Sequence, residues 1–96
     1  MKYNFEWDTK KATSNYKKHA VAFEVAVSVF KDKRAVSIYD ENHSDSEERW
    51  ITIGLDEVTR ILVVIHTYLI FSNDSCSVRI ISARKATPKE IMMYEE

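Results

Sequence analysis

The chain has 96 residues, 45% hydrophobic and 30% charged, with a net charge of −1. One domain spanning residues 1–96 is expected, with a single core, and wholesale disorder is excluded. One glycine, Gly54, and one proline, Pro88, exclude a P-loop, a Rossmann fingerprint or any glycine-cradled phosphate site, each of which needs at least two glycines at fixed offsets.

The charge is uneven. Residues 1–34 hold eight Lys/Arg against four Asp/Glu, residues 35–59 one against seven, and residues 60–96 five against four. A basic front end can therefore present a positive surface that the average conceals. Phe5 and Trp7 suggest a short opening strand. Asp8 is placed to cap a helix, with Trp7 and Ala12 spaced for a hydrophobic staple. Seven residues make about two helical turns, so Lys10 and Lys17 nearly coincide on the wheel, as do Lys11 and Lys18. The four form one basic flank, with Ala12, Asn15, Tyr16 and His19 on the other side. Residues 21–30, VAFEVAVSVF, fit a helix through Phe23, Ala26, Val27 and Phe30, and a strand through Val25, Val27 and Val29.

From Ala35 the pattern reads β. Val36 and Ile38 alternate with Ser37 and Tyr39, and an acidic loop runs from Asp40 to Glu48. Ile51, Ile53 and Leu55 alternate with Trp50, Thr52 and Gly54. A long apolar run, 60–71, meets a turn at Ser72-Asn73-Asp74-Ser75, and Cys76 to Arg84 returns. Thr87, Pro88 and Glu90 form a capping box with proline at its first helical position, opening a short final helix that carries Ile91, Met92 and Tyr94. These elements define an α+β domain. The lone Cys76 cannot form an internal disulfide, and the N-terminus lacks the apolar run of a signal peptide. The longest apolar stretch falls far short of the ~20 residues of a membrane helix. A cytoplasmic protein with no membrane partner is expected.

Three segments, WDTKKATSNYKKHAVAFEVA (7–26), ERWITIGL (48–55) and RIISARKAT with Glu90 and Tyr94-Glu95, resemble the BrnT family of type II toxins. The resemblance implies a RelE-like fold, with two N-terminal helices packed on a curved antiparallel sheet and a short C-terminal helix. It resolves residues 21–30 as the second helix. It also implies ribonuclease activity that arrests translation, neutralised by a BrnA-like ribbon-helix-helix antitoxin, with operator DNA bound only through the antitoxin complex. Where the family usually has glycine after Lys-His, this chain has Ala20, which implies a strained or different helix end. The final helix lacks the arginines common in the family. A non-catalytic, antitoxin-binding corepressor on the same fold is the alternative reading.

Such a fold activates the ribose 2′-OH against the neighbouring phosphate. That chemistry needs a base, an acid and cations, and no metal or other cofactor. Arg79 and Arg84 are the candidate phosphate clamp, because guanidinium binds phosphate bidentately and stays charged. Strict alternation puts them on opposite faces, so both serve one site only if a bulge or the strand end re-aims Arg84. The competing reading pairs each with an acid such as Glu48. Arg49, Glu48 and His66 complete the candidate catalytic set. For Arg49 and Glu48 the rival role is a structural ion pair, and for His66 a buried, hydrogen-bonded histidine. Lys11, Lys18 and Lys85 are candidate RNA-backbone contacts. His19 suits the C-terminal end of the first helix, and Tyr94 either stacks on a base or anchors the last helix.

Overall fold

The computed structural model describes residues 2–96. Its five strands are β1 (Lys2–Glu6), β2 (Val36–Tyr39), β3 (Trp50–Leu55), β4 (Ile61–Ser72) and β5 (Ser75–Lys85), and its helices are α1 (Thr9–His19), α2 (Phe23–Ala26) and α3 (Pro88–Glu95). One sheet holds all five strands in the order β1-β5-β4-β3-β2. β2 through β5 are antiparallel neighbours, but β1 lies parallel to β5. The sheet is therefore mixed rather than antiparallel throughout, and the first strand precedes the helices.

Local signals explain the helices. The Asp8 carboxylate accepts the amides of Lys10 (2.8 Å) and Lys11 (3.3 Å), which relieves two of the orphan donors that open α1. α1 ends on Ala20 in the left-handed region, φ 57°, a conformation that costs a residue with a Cβ roughly 1–2 kcal/mol. The ambiguous segment 21–30 is one turn of α-helix followed by a 3₁₀ turn, Val27–Lys31. Val21, Phe23, Ala26 and Val29 are buried from it, so helical spacing prevails. Gly54 lets this segment approach the sheet, since a Cβ there would lie 2.7 Å from Val29 Cγ1.

The sheet has two unlike faces. Against α1 and α2 it packs Leu62, Val64, Cys76, Val78, Ile80 and Ala83, with Phe5, Trp7 and Phe30 closing the rim. On the opposite face Ile53 and Val63 are also buried, and α3 packs against β3. The α3 capping box has formed: the Glu90 amide donates to Thr87 Oγ1 and the Thr87 amide to Glu90 Oε1. Tyr94 Oη donates to Asp32 Oδ2 at 2.6 Å and ties the end of α3 to the loop before β2. Burial alone would raise the Asp32 carboxyl, but hydrogen bonds from Tyr94, the Leu55 amide and the Arg34 amide hold it below its usual value.

β5 borders β1 only as far as Arg79, which leaves its outer edge open from Ile80 onward. Asn15 closes that edge at Ala83 alone, with a side-chain amide in place of a strand. Its Nδ2 donates to the Ala83 carbonyl (2.8 Å) and the Val21 carbonyl (3.0 Å), and its Oδ1 accepts the Ala83 amide (3.1 Å). No helix among the described residues is long and apolar enough to cross a membrane.

Candidate functional site

Register decides where the arginines stand. His66 pairs with Ile80 and Ile65 with Ser82, so β5 carries one extra residue, Ile81, between two adjacent positions of β4. This β-bulge reverses the alternation of β5. The buried side changes from Cys76, Val78 and Ile80 to Ala83. Arg79, opposite Thr67, and Arg84, opposite Val63, consequently share the face of Ser82, away from α1 and α2. They stand five residues apart in sequence but four apart on the β4 ladder, about 13 Å.

Arg79 Nη2 donates to Glu47 Oε2, and the other carboxylate oxygen, Oε1, lies 3.7 Å from Arg49 Nε. That gap allows charge attraction but is too long for a hydrogen bond, and the buried Arg49 Nε has no partner. Arg49 follows the Ile51–Ile53 alternation, so it sits at the rim of the same face. Two guanidinium groups thus converge on one carboxylate, with a donor still unused. The acid is Glu47 rather than its neighbour Glu48, which is exposed and makes no ion pair among the described residues. Sequence patterning misses Glu47 because it lies in a loop, where no periodicity says which of two adjacent acids turns inward.

Arg84 is held differently. Its Nη1 and Nη2 donate to Glu90 Oε1 (2.7 Å) and Oε2 (2.8 Å) in a bidentate pair. The hydrogen bonds from Arg84, outweighing partial burial, bring the Glu90 carboxyl down to about 2. Arg84 therefore anchors the first turn of α3 beside the site. Tyr94 likewise acts as an anchor.

His66 lies on the helix side, fully buried. Its ring stands edge-on to Phe30 and Tyr68, at 4.8 and 4.7 Å. Nδ1 lies 3.4 Å from its neighbour's carbonyl, Thr67 O, and Nε2 is hydrogen-bonded with the Thr52 hydroxyl at 2.6 Å. Burial pushes the imidazole down to about 4, so it is neutral at pH 7. Lys11 and Lys18 are exposed on α1, and with Lys10, His19, Ser14, Asn15, Ile81 and Ser82 they line a cleft of about 300 Å³. Lys85 is exposed at the end of β5. In the acidic loop, His43 Nδ1 lies 3.1 Å from Asp40 Oδ2, and among the described residues no three His, Cys, Asp or Glu side chains are grouped as a metal site.

The five-stranded mixed sheet with its three helices is an α+β domain. Residues 7–90 match the family described as the ribonuclease toxin, BrnT, of type II toxin-antitoxin systems, and the chain belongs to that family. A solved relative is the Brucella abortus ribonuclease toxin BrnT, 22% identical, aligned over 91% of this chain and 99% of its own with a TM-score of 0.56. The two share a fold. No curated protein matches the chain.

Proposed function

We propose that this chain is an endoribonuclease toxin that cuts RNA at the face bearing Arg79, Arg49 and Glu47, on a RelE-like plan, and that a BrnA-like antitoxin neutralises it. The carrying observation is the convergence of Arg79 and Arg49 on one carboxylate, with Arg49 Nε unpartnered. An incoming phosphate takes up the guanidinium donors, and the carboxylate is left beside it as the base. Glu47 accepts the 2′-OH proton, O2′ attacks phosphorus, and the P–O5′ bond breaks to leave a 2′,3′-cyclic phosphate. The departing 5′-oxygen takes its proton from water. The guanidinium groups supply the positive charge, so the step needs no metal. Arg84 borders the path and holds α3, Lys11, Lys18 and Lys85 are backbone contacts, and Glu48 stands by Glu47 at the rim. His66, sealed in the core, has no part in the chemistry.

A second reading, a non-catalytic corepressor that keeps only the antitoxin surface, is favoured by one fact. Both Arg79 and Arg84 are already engaged by carboxylates. Expression in cells without an antitoxin separates the two readings. Growth arrest that Arg79→Ala abolishes, with antitoxin binding retained, supports the nuclease. Unimpaired growth with the wild-type chain supports the corepressor.

A further inference from the structure

The cleft between α1 and the bulged edge of β5 lies outside the arginine site, yet the two meet at one residue. Ser82 lines the cleft and, by its pairing with Ile65, shares the face of Arg79 and Arg84. The cleft walls carry Lys10, Lys11, Lys18 and His19 and no acidic side chain, and none of these four is in an ion pair among the described residues. Lys11 and Lys18, seven residues apart, are separated by about 10 Å along one side of α1. Ile81 is the only apolar residue in the lining, so a peptide side chain finds little to anchor it, whereas a run of phosphates finds a row of unpaired cations.

We propose that this cleft is a second phosphate-binding subsite that takes the RNA strand off the arginine face, over the open edge of β5 at Ile81–Ser82 and along α1. The inference rests on the nuclease reading above and adds a substrate class to it. A strand that bends over a sheet edge is single-stranded, because a stiff duplex cannot turn within that distance. The bulge has two effects: it brings Arg84 to the face of Arg79, and it sets Ser82 where that face passes into the cleft.

The test uses the intact chain and non-cleavable single-stranded oligonucleotides with 2′-O-methyl riboses, one of three nucleotides and one of twelve. Binding is followed by fluorescence anisotropy across a salt series. For the long strand, Lys11→Gln/Lys18→Gln should lower the slope of log affinity against log salt by about 1.4, or 0.7 for each cation lost. The affinity ratio of long to short strand should fall with it. A control of equal net charge, Lys31→Gln/Lys33→Gln, should leave that ratio as in the wild type, and a duplex of the same length should bind more weakly than the long strand. An unchanged slope in the cleft variant, or an equal loss in the control, overturns the subsite. If the wild type also fails to arrest growth, that failure belongs to the nuclease reading, while binding alone decides the cleft. A cleft variant that instead loses the antitoxin and keeps the long-strand slope assigns the cleft to a protein partner and overturns the proposal.

Discussion

At the scale of single residues, two positions show how much depends on backbone groups. Ala20 occupies a left-handed conformation for which glycine is the usual solution. Ala20→Gly removes a Cβ penalty of roughly 1–2 kcal/mol, offset in part by the greater freedom of glycine in the unfolded chain. A net gain of about 0.5–1 kcal/mol is expected, visible as a higher midpoint in thermal unfolding followed by circular dichroism. A lower midpoint would mean that the αL cap carries no strain. Asn15 poses the opposite case. It is 6% exposed and satisfies three buried backbone groups, so Asn15→Ala orphans the amide and carbonyl of Ala83 and the carbonyl of Val21. A loss of about 2–4 kcal/mol is expected in urea unfolding, and a loss below 1 kcal/mol would show that β5 closes its edge by other means. The expectation that the wheel sets Asn15 apart from the lysines is overturned, because it stands four residues after Lys11 and three before Lys18 and lines their cleft. The role of its amide rests on a strand edge 68 residues away, which no local pattern can reveal.

At the scale of elements, hydropathy and capping chemistry prove legible where the determining contacts are close in sequence. The α1 cap at Asp8, the 72–75 hairpin and the α3 capping box all follow from residues within a few positions of one another. The parallel seating of β1 against β5 joins segments more than 70 residues apart, and the bulge at Ile81 appears only in the register between two strands. Both lie beyond local patterning, although the spacing of Arg79 and Arg84 allows one shared site only with a bulge or a re-aiming strand end. The docking of α3 also makes a pH prediction. The Glu90 carboxyl ionises at about 2 in the fold against 4.5 when unfolded, so the unfolded chain binds the extra proton between those values and stability falls with acid across that window. The His66 imidazole, at about 4 against 6.5, adds a loss between pH 6.5 and 4 by the same sign. Thermal midpoints measured from pH 7 to pH 2 should fall through both windows, and Glu90→Gln should flatten the lower one alone. A variant that keeps the full low-pH slope would contradict the role given to the Arg84–Glu90 pair.

For the whole molecule, the net charge of −1 conceals a division of labour. Acidic residues gather in the 40–48 loop and lend Glu47 to the arginine face, while the lysines of α1 remain unpaired on the far side of the β5 edge. A chain of this average charge is a poor general polyanion binder, so the proposed RNA contacts rest on the few positions where cations stand free. The family membership fits that arrangement, and the candidate chemistry depends on residues that β5 and the loop before β3 bring to one face.

The most direct measurement is cleavage of an end-labelled single-stranded RNA by the purified chain in the presence of a chelator, alone and with ribosomes, beside Arg79→Ala. The account predicts products ending in 2′,3′-cyclic phosphate, with the rate lowered by about 10²-fold or more in the variant, the loss typical of removing one donor to the transition-state charge. Cleavage at the wild-type rate by Arg79→Ala, or none by the wild-type chain under either condition, would contradict it.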